Sequence, residues 1–290
     1  MTHPLVVGVD GSDPSLTAVD WAVDEAARHG VPLRLVHASL WEIYEGTQPS
    51  FGTDRPAEEL VAEHIVASCV DRARRLDPEV DVSGRVLAED AVSALLRTGP
   101  EAFALVTGSR GRGQVAGMLL GSVSLAVAAR AVCPVFVVRG AEPNRRGELG
   151  RVVVGVGGVT GGAGAVRFAV REAGVRGCAL TAVRAWRTRA REPVDHPRAG
   201  GDAARSREQR AATDLDDALR EAVREHPRVD VDRRAAEGPA HRVLLDAAAG
   251  ADLIVVGARR HGHFGLQLGR VAHTLLHHAA CPVAVVPQRL

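Results

Sequence analysis

The chain has 290 residues, 46% of them hydrophobic and 24% charged, with a formal net charge of +1. This balance suits a soluble globular protein of about two domains and excludes a disordered or collagen-like chain. Near-neutral charge leaves no electrostatic footprint for nucleic acid or an anionic membrane, and no apolar run reaches the ~18 residues of a membrane-spanning helix.

The opening segment MTHPLVVGVDGS lacks the basic and long apolar regions of a signal peptide, so a cytoplasmic location is expected. Cys69, Cys133, Cys178 and Cys281 have no CxxC spacing and sit in apolar surroundings, which reads as small core residues rather than a disulfide or zinc framework. All 36 basic residues are Arg. Without Lys, neither Schiff-base chemistry nor a P-loop nucleotidase is favoured. The Arg-, Ala- and Gly-rich composition is that of a bacterial protein from a high-GC genome.

In chain order, residues 5–9 form an apolar, β-branched run expected of a strand covered on both faces. Asp13 or Ser12 is placed to cap the next helix, with Pro14 in its first turn and Leu16, Val19, Val23 and Ala26 along one face. A second strand is predicted over 33–38, a helix over 57–76, a strand over 80–87, a helix over 91–97 and a strand over 103–107. A helix over 122–131 and a strand over 135–138 close the first half. This alternation specifies βαβ units and a parallel sheet, with ligands at the carboxyl ends of the strands.

The second half repeats the first. LVVGVDGS at 5–12 matches VVVGVGGV at 152–159, ALVTGSRGRG at 104–113 matches LIVVGARRHG at 253–262, and ARAVCPVFVV at 129–138 matches HHAACPVAVV at 277–286. Offsets of 147, 149 and 148 residues are domain-sized, so the chain is a tandem duplication of domains at 1–140 and 150–290. The polar segment RGAEPNRRGELG, 139–150, is the expected boundary. The stretch 187–210, with seven Arg and four acids, reads as a solvated loop leading into a helix. Its interspersed acids and lack of aromatics argue against a nucleic-acid arm.

The chemistry-bearing motif follows the fourth strand: Gly108-Ser-Arg-Gly111, nine residues, then Gly121-Ser122 at a helix start. Phosphates need backbone N–H groups unobstructed by Cβ atoms, which glycines allow, and a helix N-terminus favours anions. Ser122 can also donate its hydroxyl and cap the helix. Asp10 ends the first strand, where a carboxylate could accept from both ribose hydroxyls. Against this stands a turn reading of Asp10-Gly11-Ser12 as helix-capping side chains.

VVGVDGS, VTGSRGRG followed by LLGSVS, and the terminal Cys-Pro-Val-Phe-Val-Val strand together resemble the universal stress protein family, and the second half repeats the outline. The resemblance implies two tandem Rossmann-like, flavodoxin-like α/β domains, each a five-stranded parallel sheet of order 3-2-1-4-5 flanked by helices. It also implies pairing of the two halves through their terminal strands; 135–138 and 283–286, short, apolar, Pro-preceded edge strands, predict the same intramolecular pairing, with any homodimer as a further layer. In ATP-binding members the motif holds phosphates and ribose, which gives that role to Gly108, Gly111, Gly121 and Ser122, with Asp10 at the ribose and Val9, Ala38 and Val86 framing the adenine. Gly8, Ser109, Arg110, Arg112, Gly113, Val123 and Ser124 complete the candidate nucleotide-binding set.

The second copy departs from this pattern. Gly157 stands where the first has Asp10, Arg260 for Gly111 and Arg270 for Ser122, and its loop is one residue shorter. A degenerate nucleotide site is expected there. His273 and His277, four apart, lack a third ligand at metal-binding spacing and read as surface or packing residues. No Gly-x-Ser-x-Gly elbow marks a serine nucleophile.

The expected function is a cytoplasmic, ATP-binding stress-response regulator or scaffold that is not an enzyme, takes ATP with or without Mg2+, and acts on an unidentified protein partner. Two readings compete: slow ATP hydrolysis or autophosphorylation at Ser122 or Ser124, assisted by Asp10 or Mg2+, and a docking module that needs no nucleotide.

Overall fold

The computed structural model describes residues 2–40, 57–111, 120–157, 162–187, 197–258 and 268–288. The chain divides into two compact units, Met1–Arg139 and Gly140–Leu290.

In the first unit the described elements are β1 (Leu5–Gly8), α1 (Asp13–His29), β2 (Leu33–Ala38), α2 (Ala57–Leu76), β3 (Val82–Leu87), α3 (Ala91–Thr98), β4 (Ala104–Gly108), α4 (Ser122–Arg130) and β5 (Val135–Val138). The strands run in the order β3-β2-β1-β4-β5, all parallel. Leu5, Val6 and Val7 of β1 and Ala104, Leu105 and Val106 of β4 are wholly buried, as their unbroken apolar runs require. Each large side chain among them contributes roughly 1.5–3 kcal/mol by leaving water. α1 lays Val19, Val23 and Ala26 into this core, and Trp21 meets Phe136 of β5 at 4.9 Å between ring centroids. Because the strand order reverses between β1 and β4, the chain leaves their carboxyl ends in opposite directions and opens a crevice there.

The second unit comprises α5 (Glu142–Arg146), β6 (Arg151–Gly155), α6 (Ala163–Arg176), β7 (Ala179–Trp186), α7 (Pro197–Glu225), β8 (Val231–Glu237), α8 (Ala240–Ala249), β9 (Leu253–Ala258), α9 (Arg270–His278) and β10 (Val283–Pro287). Its parallel strands follow the same plan, β8-β7-β6-β9-β10. The repeat also preserves a close contact under the first strand. A Cβ at Gly8 would lie 2.9 Å from Leu95 Cδ1, and one at the equivalent Gly155 would lie 2.8 Å from Leu244 Cδ1.

The division falls inside the segment 139–150, between Arg139 and Gly140. The rest of that segment packs on the second unit: Asn144 donates to the carbonyls of Ala249 (3.2 Å) and Ala251 (2.7 Å), and Asp252 accepts from the N–H groups of Leu149 and Arg151 at 2.9 Å. One expectation requires correction. The stretch predicted as a loop to residue 210 is helical from Pro197. Its Ala, Arg, Glu and Gln residues are good helix formers, and only Gly200 and Gly201 oppose them. Cys69, Cys133 and Cys281 are buried and Cys178 is half-buried, all as free thiols. Burial pushes the Cys133 thiol up to about 11, as expected of an inert core cysteine.

Candidate functional site

The crevice of the first unit is a cavity of about 320 Å3 at the carboxyl ends of β1, β2 and β4, closed by the first turns of α3 and α4. Its volume falls in the range of small-molecule sites. Of the sequence-predicted residues, Gly8, Val9, Asp10, Ala38, Gly108, Arg110, Gly111, Gly121, Ser122, Val123 and Ser124 line it. Arg112 and Gly113 lie outside the described residues.

Asp10 forms the turn that its sequence context allows. Its Oδ1 accepts from the Ser12 N–H at 3.0 Å and the Ser12 hydroxyl at 2.6 Å, and Gly11 adopts φ 78, so the segment is a turn. The carboxylate nevertheless stands in the cavity wall. Ser12 occupies the N-cap position of α1 but makes no side-chain cap, because its hydroxyl is directed at Asp10.

At the opposite wall, Gly108 ends β4 against α1. A Cβ there would lie 2.5 Å from the Pro14 carbonyl oxygen, so only glycine fits. A Cβ at Gly111 would lie 2.5 Å from Asp10 Oδ2. The Gly121 N–H donates to the Ser109 carbonyl at 2.8 Å, drawing the two ends of the loop together. Gly121, not Ser122, is the N-cap of α4, and its N–H is engaged. The N–H groups of Ser122, Val123 and Ser124 therefore have no acceptor one turn earlier in the helix, the arrangement that suits an anion.

Ser124 is 5% exposed, and its hydroxyl donates to the Gly108 carbonyl at 2.7 Å, tying α4 to the end of β4. Ser109 does not line the cavity and contributes its carbonyl to the loop closure instead. Val86 does not line it either: it lies on β3, two strands away from β1, paired with His37 of β2.

The sequence reading missed His37 and Thr107, both in the cavity wall. His37 Nδ1 lies 2.7 Å from the Val9 carbonyl oxygen. That acceptor requires Nδ1 to carry the proton, and so fixes the ring across the ends of β1 and β2. Thr107 is 4% exposed, and its hydroxyl has no hydrogen-bond partner among the described residues. A buried hydroxyl with no partner at all costs about 1–3 kcal/mol, and one in a cavity wall can be met by water or by a ligand. Ser15, Val36, Ala91 and Leu95 complete the wall.

The equivalent residues of the second unit are rebuilt. Val256 replaces Thr107, Gly157 replaces Asp10 and Arg184 replaces His37. Arg184 donates to the carbonyls of Val156 (3.4 Å) and Gly157 and pairs with Asp214 at 2.7 Å, so a guanidinium ion pair occupies the end of β6. The Gln288 side chain lies against Gly257, the counterpart of Gly108.

Two tandem doubly wound α/β units, one with a glycine-lined cavity at its switch point, define the class. The chain belongs to the universal stress protein family, whose model matches residues 1–139 and 148–287. Universal stress protein Rv2005c of Mycobacterium tuberculosis is 33% identical over 99% of this chain and 97% of its own length. Universal stress protein Rv1996 of the same species is 33% identical over 98% of this chain and 95% of its own length. The crystal structure of a universal stress protein from Archaeoglobus fulgidus shares the fold over 100% of both chains, with a TM-score of 0.69 at 16% identity.

Among the described residues no helix is long and apolar enough to cross a membrane.

Proposed function

We propose that the first unit binds ATP and that the protein acts as a cytoplasmic, nucleotide-dependent stress-response regulator or scaffold rather than as a catalyst. The observation that carries this reading is the cavity wall itself: the Asp10 carboxylate at one side, and the Gly108–Gly111 turn with the first-turn N–H groups of α4 at the other. The carboxylate suits the two hydroxyls of a ribose, and the helix N-terminus suits phosphate oxygens. The Thr107 hydroxyl, buried and without a partner among the described residues, adds a polar group that a ligand would satisfy.

Asp10 is the one carboxylate among the described lining residues. Mg2+, where it accompanies ATP, would take most of its ligands from the phosphates and water. Autophosphorylation at Ser124 is disfavoured because that hydroxyl is buried and committed to the Gly108 carbonyl.

Titration of the full chain, purified free of nucleotide, with ATP, ADP, AMP and cyclic AMP tests the reading. ATP is expected to bind tightest, with phosphate release below about one per minute, slow against the usual catalytic range. Failure of all four to bind would leave the docking-module reading; sustained faster release would make the protein an enzyme.

A further inference from the structure

The second unit has lost the polar groups assigned above to a ribose, but it has not lost a cavity. A cleft of about 430 Å3 lies at the carboxyl ends of β7 and β8 beside the first turn of α9, lined by Ala185, Trp186, Arg187, Gly238, Ala240, His241, Arg270 and Val271. By the repeat, Ala185 corresponds to Ala38, Ala240 to Ala91, and Arg270 and Val271 to Ser122 and Val123. The cleft thus overlaps the outer part of the first unit's cavity. The inner part, at the ends of β6 and β9, does not line it. There Arg184 bridges the Val156 and Gly157 carbonyls and pairs with Asp214, and Val256 stands in place of the hydroxyl of Thr107.

The electrostatic character of the wall has changed with its position. The first unit's cavity contains one carboxylate, one arginine and one histidine. The second unit's cleft contains two arginines and one histidine and no acid among its described lining residues. Arg187, Arg270 and His241 have no ion-pair partner among the described residues. The Trp186 indole N–H, in the same wall, has no acceptor among them either. Three cationic or cation-capable side chains line one concave surface with no acid among its described lining residues, and an anion placed among them relieves their mutual repulsion. Guanidinium groups present paired donors that match phosphate oxygens.

We propose that this cleft is a second binding site, selective for phosphoryl anions and indifferent to a ribose. Arg187 and Arg270 are its principal contacts, and His241 is a third donor. Duplication has thereby produced two sites of different chemistry on one chain: one organised around a carboxylate, the other around guanidinium groups. This inference does not depend on the identity of the first unit's ligand.

Inorganic pyrophosphate is the probe. Calorimetric titration of the full chain carrying Gly121→Trp, which obstructs the first unit's cavity, should still show one pyrophosphate per chain. Adding Arg187→Ser and Arg270→Ser should weaken that binding at least tenfold. In the otherwise unaltered chain the same two substitutions should remove one pyrophosphate site without lowering the melting temperature, since both side chains are exposed. Asp10→Ala should leave this site unchanged. The proposal is overturned if neither background binds pyrophosphate, or if the paired arginine substitutions leave its affinity unaltered. A chain that binds pyrophosphate through Arg187 and Arg270 but shows no Asp10-dependent ATP binding would support this site and refute the function proposed for the first unit.

Discussion

The Asp10 carboxylate and the Gly111 backbone are so close that a methyl group on Gly111 would fall 2.5 Å from Asp10 Oδ2. Oδ1 of the same carboxylate is held by two donors from Ser12, so it cannot swing aside without breaking them. With Asp10 in this position, residue 111 has room only for glycine. The second half of the sequence replaces both, with Gly157 and Arg260. Gly111→Ala is expected to cost about 1 kcal/mol of stability, the scale of the displaced hydrogen bonds. In an Asp10→Gly background the same change should cost almost nothing. Denaturant unfolding of the four chains gives the coupling directly; additive costs would show that the contact imposes no constraint.

The loop glycines should separate into structural and ligand-facing classes. Gly108→Ala drives a Cβ into the Pro14 carbonyl, a backbone atom that cannot turn away, and should destabilise the protein by about 1–3 kcal/mol. Gly121 has φ −75, and a Cβ there would lie no closer than 3.5 Å to Arg110 Cα. Gly121→Ala should cost no more than about 1 kcal/mol, the penalty of alanine at an N-cap, and Gly121→Trp should obstruct ligand entry to the cavity. Paired thermal melts and ATP titrations distinguish these outcomes.

Thr107→Val exchanges a buried hydroxyl that has no partner among the described residues for a methyl of the same shape, the residue the second unit carries as Val256. Removing such a group should be neutral or stabilising, by about 1 kcal/mol. ATP affinity should fall severalfold if the hydroxyl meets the ligand. A variant that is more stable and binds ATP as before would show that Thr107 is only a packing residue.

Asp90 caps α3 by accepting from the Val92 and Ser93 N–H groups at 3.1 Å, and the Ser93 hydroxyl together with these N–H groups holds its carboxyl below its ordinary value of 3.8. A depressed folded-state value means that the cap's contribution is fully present above that ordinary value and is lost as pH falls through the lower one. Asp90→Ala should therefore melt earlier than the parent at pH 7, and the difference should shrink toward pH 3. Because α3 supplies Ala91 and Leu95 to the cavity wall, ATP affinity should fall with it. A difference in melting temperature independent of pH would contradict the cap's role.

The strand and helix pattern was legible because each element is a local pattern with a local stop. Leu33–Ala38, Ala57–Leu76 and Val135–Val138 fall at the bounds predicted from their apolar spacing. The glycine motif was equally local, and most of its described residues meet in one cavity. What the sequence concealed depends on relations across the sheet or on helix phase. His37 enters the site through a carbonyl 28 residues away, and Thr107 matters only because nothing else reaches its hydroxyl. Once α4 begins at Ser122, the helix phase directs Ser124 toward Gly108, a direction that no spacing rule between glycines encodes. In the same way, residues 140–150 look like a linker in composition, yet Asn144 and Asp252 bind the segment to the second unit over more than 100 residues of sequence.

Calorimetric titration of ATP into the parent chain and Asp10→Ala tests most directly whether the Asp10 carboxylate organises a nucleotide site in the first unit. Hydrogen bonds to a charged acceptor are typically worth about 1.5–3 kcal/mol each, so the substitution should weaken ATP binding by more than tenfold with the fold intact by circular dichroism. Equal affinities in the two chains, or no ATP binding by the parent, would contradict that role of Asp10.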